Sequence, residues 1–149
     1  MVTHDPLLQG RAGVSDWSLH PQLTADTRLV VTLPLCDVRL MDDANYPWLI
    51  LVPRVTGARE LIDLADTDRH QLADEIDTAS RALRSAFRPH KLNVAALGNV
   101  VAQLHVHVIA RFEDDPAWPA PVWGRVAARP HTPDELATRL KRLRGALHD

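Results

Sequence analysis

Cysteine is all but missing from this chain: Cys36 stands alone among 149 residues. One thiol cannot close an internal disulfide or build a cysteine-based zinc site. Lysine is nearly as scarce, with only Lys91 and Lys141, and the formal net charge is -2. Gripping a nucleic-acid backbone requires clustered basic side chains that displace counterions, so no nucleic-acid partner is expected. A nucleotide stays within reach, because a single phosphate needs only a few local donors. No stretch approaches 18 apolar residues, and the first twenty residues contain no apolar signal core, so no membrane partner and a cytoplasmic location are expected.

What is present suits one globular domain. Hydrophobic residues at 46% and charged residues at 24% are ordinary for such a domain, and 149 residues are enough to bury a real core. Residues 1–27 mix polar side chains with Pro6, Gly10, Gly13 and Pro21 and read as an N-terminal arm that packs late or not at all, tethered by Trp17 and Leu19. Residues 29–33 are β-branched and read as a strand, with a second at 38–41. The turn-rich segment 42–47 follows, and then the apolar run Trp48-Leu49-Ile50-Leu51-Val52 stopped by Pro53. Such a run is the mark of a strand covered on both faces.

Residues 67–87 read as the main helix, with Leu72, Ile76, Ala79, Leu83 and Phe87 along one face and Pro89 beyond its end. Strands at 92–97 and 103–111 flank a tight connection at Gly98-Asn99. Residues 113–124 carry Pro116, Pro119 and Pro121 between Trp118 and Trp123 and read as an irregular strap. Thr132-Pro133-Asp134-Glu135 matches a capping box with proline at the first helical position, and Leu136, Leu140, Leu143 and Leu147 stripe the helix that follows. Strands, helix, strands, helix makes an α+β fold with an antiparallel sheet of about five strands. The central domain runs over 28–112, with the strap and C-terminal helix of 113–149 packed on it.

Chemistry concentrates in Gln103-Leu104-His105-Val106-His107-Val108-Ile109. On a strand, alternate residues share a face, so Gln103, His105 and His107 point one way and Leu104, Val106 and Val108 the other. Two imidazoles roughly 6 to 7 Å apart at Cα can reach one phosphate-sized group. Three readings follow. The histidines are structural; or they are a His-x-His metal pair awaiting a third ligand such as Asp42 or Asp43; or His105 is a nucleophile. In the last, a neutral imidazole attacks phosphorus, its other nitrogen holding its proton against an acceptor. The second histidine then steadies phosphoryl oxygens or assists the leaving group.

This stretch resembles the signature of the histidine-triad (HIT) family: His, apolar, His, apolar, His, then two apolar residues. The context over roughly residues 29–112 is similar to the family as well: a strand ending in Leu51-Val52-Pro53, a long helix, a strand with an amide before a short loop, and the signature strand. The central His falls on His105, the third on His107, and the first on Gln103, where the chain departs from the pattern. The resemblance implies hydrolysis or transfer at the α-phosphate of dinucleoside polyphosphates, nucleoside phosphoramidates or nucleotide sugars. The route is a nucleotidyl-histidine intermediate formed on His105 without a metal or other cofactor, and a purine nucleotide is the expected substrate. It also implies a homodimer that joins two sheets. His107 would contact the phosphate and assist departure. Gln103 keeps a phosphate-orienting role but cannot carry a proton at neutral pH. Asn99, beside Gly98, falls where the family places an amide near the phosphate, and Asp42 near its ribose-binding position, with Asp43 and Asn45 as rivals. Trp48 falls where some members have another histidine, and a packing role is expected of it. Trp118 and Trp123 would close over a base or cover apolar surface. His4, His20, His70, His90, His131 and His148 are read as surface or capping residues. The alternative to an enzyme is a nucleotide-binding module weakened by Gln103 and the short loop.

Overall fold

The apolar run at 48–52 becomes the middle of the structure because each of its faces has something to cover it. The computed structural model describes residues 16–148. Their elements are α1 (Pro21–Asp26), β1 (Thr27–Thr32), β2 (Cys36–Met41), β3 (Trp48–Pro53), a 3-10 turn (Leu61–Asp63), α2 (Asp66–Phe87), β4 (Lys91–Ala95), β5 (Val106–Arg111) and α3 (Pro133–His148). The strands form one antiparallel sheet in the order β1-β2-β3-β5-β4. β3 and β5 are the strands buried at every position.

Period-two alternation divides the core in two. On one face Val38, Leu40, Leu49, Leu51, Val106 and Val108 meet the apolar stripe of α2 and Leu143 of α3. On the other, Trp48, Ile50, Val52 and Ile109 meet Leu23 of α1, Val122 of the strap, and Trp17 and Leu19. The stripe read on α2 holds, and two acids of the helix, Asp68 and Glu75, are buried with it. Glu75 is buried and accepts the backbone N–H groups of Leu35 at 3.0 Å and Cys36 at 2.7 Å. A helix carboxylate thus closes the β1–β2 turn and keeps two buried donors satisfied. Burial, reinforced by Glu75, pushes the Cys36 thiol far up, so this cysteine is inert. α2 ends where Arg88 turns left-handed at φ 50°, one residue before Pro89.

Three expectations are corrected. The strand expected over 103–111 begins at Val106, so Gln103 and His105 lie in the loop that enters it. Its partner explains this: pairing with β3 starts at Leu51 opposite Val106, and Leu104 N–H bonds instead to Ala58 O, beyond Pro53. The arm expected over 1–27 is packed where it is described: α1 seats Leu23 in the core and Thr27 opens β1 (residues 1–15, with His4, lie outside the described residues). His131, read as a surface or capping residue, has a side chain with 0% exposure: its ring bonds to Asp42 Oδ1 at 2.8 Å and to Arg139 at 2.9 Å. Arginine only donates, so the His131 Nε2 accepts and its Nδ1–H donates to Asp42.

The strap is irregular, as read, but fastened at both ends. Arg111 and Asp115 form an ion pair at 2.8 Å with side chains 1% and 3% exposed. Arg111 also donates to Asn93 Oδ1 and Ala120 O, and Asp115 accepts from the backbone of Phe112, Ala117 and Trp118. At the far end Asp43 accepts from Arg129 N, and Asp42 accepts from His131 N.

Candidate active site

β5 and the loop entering it carry both histidines to the α1 side of the sheet, because Val106 between them takes the α2 side. Their ring centroids are 5.0 Å apart at 69°, and both rings are buried. His105 Nδ1 lies 2.7 Å from the carbonyl oxygen of Gln103. A carbonyl can only accept, so in the neutral ring the proton sits on Nδ1 and Nε2 carries the lone pair. His107 is fixed the opposite way. The indole Nε1–H of Trp48 donates to its Nδ1 at 3.0 Å, so a neutral His107 keeps its proton on Nε2. Burial, aided by neighbouring His105, pushes the His107 pKa down to about 4, so at neutral pH the ring is an uncharged donor.

Register explains the Trp48 contact. Ile50 lies opposite His107 and Trp48 opposite Ile109, which makes Trp48 the diagonal neighbour of His107 on the same face. Trp123 of the strap stands edge-on over both, 5.1 Å from the His107 ring and 5.7 Å from Trp48. Trp118 is elsewhere, over the Arg111 guanidinium at 5.7 Å and against His90. One tryptophan of the strap therefore roofs the histidines and the other covers the buried arginine.

A cleft of about 270 Å³ opens here, lined by His105, His107, Gly98, Asn99, Trp48 and Trp123, with Leu23 and Asp26 of α1 on its far wall. Gly98, at φ +74°, makes the turn that brings Asn99 to this rim. Asp42 lies instead on an adjoining cleft of about 430 Å³, which shares Trp48, Trp123, Met41 and Asp26 with the first. Bonds from His131 hold the Asp42 carboxyl below its usual range, opposed by a smaller effect of burial. The Gln103 side chain lies behind His105. Its Oε1 accepts from His20 N at 2.8 Å and its Nε2 donates to Ser18 O at 2.9 Å, so the amide clips the chain before α1 to the histidine loop. His20 caps α1 by accepting from Gln22 N.

Among the described residues, no group of three His, Cys, Asp or Glu is arranged to hold a metal ion. Both acids considered as third ligands serve the strap: Asp42 binds His131 and Asp43 binds Arg129. The residue that composition and spacing missed is Trp48. Its indole N–H serves the histidine pair, and the only signal for it in the sequence is the β3–β5 register, which two strands do not announce. The cleft wall from α1 was missed because six residues are too few for a periodic pattern.

The family model described as HIT domain matches residues 22–114. The chain belongs to the histidine-triad family. Solved relatives share its architecture closely. A histidine triad protein from Bradyrhizobium japonicum is 49% identical, with a TM-score of 0.86 over 88% of this chain and 98% of that one. One from Sinorhizobium meliloti is 42% identical, with a TM-score of 0.87 over 90% and 99%. Among curated proteins, the AP-4-A phosphorylase of Mycobacterium tuberculosis is 30% identical over 102 residues, 64% of this chain and 52% of that protein. This HIT chain thus spans about half the length of the curated relative it matches. The HIT match starts inside α1, earlier than the strand at 29 where the sequence resemblance begins.

Proposed function

We propose that this chain is a nucleotide hydrolase or nucleotidyl transferase that works through a covalent intermediate on His105. The observation that carries the reading is the 2.7 Å bond from His105 Nδ1 to the Gln103 carbonyl, which in the neutral ring puts the lone pair on Nε2 beside the cleft. That is the state a histidine nucleophile needs before it meets phosphorus. The name of the AP-4-A phosphorylase relative supports a dinucleoside polyphosphate as substrate, with a nucleoside phosphoramidate as the other class.

In this mechanism the Nε2 lone pair forms a bond to the α-phosphorus, and the bond to the leaving group breaks with its electron pair going to the departing atom. The Nδ1–H stays on the Gln103 carbonyl, which steadies the positive charge that develops on the ring. His107 Nε2–H and the Asn99 amide supply donors to phosphoryl oxygens. Water, or another acceptor, then attacks the same phosphorus; the P–N bond returns its pair to Nε2, and the acceptor's proton passes to solvent. The largely apolar cleft lined by Trp123, Leu23 and Trp48 would take a purine, and Asp42 borders the adjoining space where a ribose would lie. A cytoplasmic location and a sheet-joined homodimer complete the reading.

The binding-module reading draws on Gln103, whose amide is turned toward residues 18–20. Rapid quench and intact mass after mixing with diadenosine tetraphosphate separates the two. An AMP adduct localised to His105 that forms and decays supports the enzyme, and His105→Ala is expected to abolish it while circular dichroism is unchanged. AMP binding with neither adduct nor product would overturn the enzyme in favour of the module.

A further inference from the structure

A leaving group that departs from phosphorus as an amine needs a proton; one that departs as a phosphate oxygen does not. The surroundings of His107 decide which this centre can serve. β3 contributes Trp48 and Ile50, β4 contributes Ala95 and the strap contributes Trp123, none of which titrates in the working range. Across the cleft α1 presents Asp26, whose carboxylate accepts from Gln22 Nε2. Beyond Trp48 lie Asp42 and Asp43, each accepting from the strap. On the far side of His105, a cleft of about 340 Å³ holds Arg59 and Glu60, and Glu60 is engaged as the cap of the 3-10 turn. A neutral His105 donates its Nδ1–H to the Gln103 carbonyl and as the nucleophile cannot also be the acid, and the amide of Gln103 has no proton to give.

His107 is the remaining candidate acid, and Trp48 stands against it. To become an imidazolium, His107 must protonate Nδ1, the atom that receives the indole N–H at 3.0 Å. Indole nitrogen only donates, so two N–H groups would then face each other in a buried contact with no acceptor. The ring at that geometry is a donor with a proton it cannot replace.

Resting on the nucleotidyl-histidine reading, we propose that Trp48 locks His107 as a neutral Nε2–H donor, leaving the described residues of this centre without a general acid. Substrates are thereby restricted to nucleotides whose leaving group departs as an anion: phosphoanhydrides rather than phosphoramidates. Trp48 is a positioning residue in this scheme. For an anhydride the scissile P–O pair goes to the leaving phosphate, which needs no proton; for a phosphoramidate the pair goes to nitrogen, which departs only when protonated.

The test compares kcat/KM for diadenosine tetraphosphate and adenosine 5′-phosphoramidate on the full chain from pH 5 to 8, alongside intact-mass detection of the adduct. Positioned acids contribute about 100-fold or more, so the anhydride is expected to be favoured by at least about that factor at every pH. Trp48→Phe is expected to raise the phosphoramidate-to-anhydride ratio about tenfold or more, most at low pH, as His107 regains a second proton. 15N NMR of the wild-type histidines gives an arm independent of any variant, with His107 expected as the Nε2–H form down to pH 5. Adducts that form from both substrates at comparable rates, or a His107 protonated on Nδ1 at pH 6, would overturn the lock and leave the nucleophile standing. No adduct from either substrate would overturn the nucleophile itself, and this inference with it.

Discussion

At the residue scale, histidine protonation ties the site to stability. His107 takes up a proton near pH 6.5 in an unfolded chain and near about 4 in the fold. Between those values the unfolded state binds more protons, so stability is present in full above pH 6.5 and drains as pH falls toward 4. Asp115 acts in a lower window: burial raises its pKa, but bonds from Arg111 and three backbone N–H groups outweigh this and hold it low, so its share is lost only below the ordinary aspartate value of about 3.9. Urea midpoints are therefore expected to fall from pH 7 to pH 4.5 through His107, and His107→Phe is expected to flatten that fall. A second prediction concerns Gln103. Its backbone carbonyl, not its side chain, holds His105, so Gln103→Ala is expected to keep adduct formation. It should cost about 1–2 kcal/mol in urea denaturation, the worth of two hydrogen bonds to residues 18 and 20. Loss of the adduct in that variant would show that the amide itself serves the chemistry. The pairing of His105 with His107 was legible in the sequence, because Val106 between them is apolar and turns to the other side, although the strand itself begins only at Val106. That Trp48 meets His107 was not, because the contact spans 59 positions and depends on register.

At the element scale, the strap is the least legible part and the most consequential. Its prolines and tryptophans said only that no helix or strand forms. The pair that fastens it, Arg111 and Asp115, stands four residues apart, a spacing that on paper suggests a solvated helix face. Here β5 ends between them and the chain folds back, so both charges are buried together. Removing one partner leaves the other charge uncompensated: Asp115→Asn is expected to cost about 3–5 kcal/mol in urea denaturation. Because the strap carries Trp123 over His107, the same variant is also expected to change tryptophan fluorescence and weaken AMP binding. Unchanged fluorescence would mean that the roof is held from its other end, by Asp42 and Asp43. Helices α2 and α3 were readable because their stripes recur every three or four residues; Glu75 interrupts the first stripe as a charge, and only the β1–β2 turn above it explains why.

At the scale of the whole molecule, the two edges of the sheet differ. β1 is covered: Arg144 of α3 donates to Val30 O at 3.0 Å and to Leu29 O at 2.9 Å, occupying the strand's outer carbonyls. β4 is the other edge, and among the described residues nothing pairs with its outer side. Val94 on that strand is 51% exposed, and the chain leaving it exposes Leu97 at 50% and Val100 at 95%. An open edge flanked by exposed aliphatics is a template for a second strand, and the homodimer proposed above would place a second copy there. Joining two β4 strands would also set the loop bearing Gly98 and Asn99 beside the junction, so the cleft that this loop lines would be stiffened by assembly. Sedimentation is expected to give twice the chain mass of 16.6 kDa. Val94→Lys, which sets like charges against each other at the junction, is expected to give the single mass with an unchanged circular dichroism spectrum. If the dimer is what holds that loop, the variant's KM rises while its adduct still forms on His105; a wild-type chain that sediments at 16.6 kDa would leave the loop to be held by its own turn at Gly98.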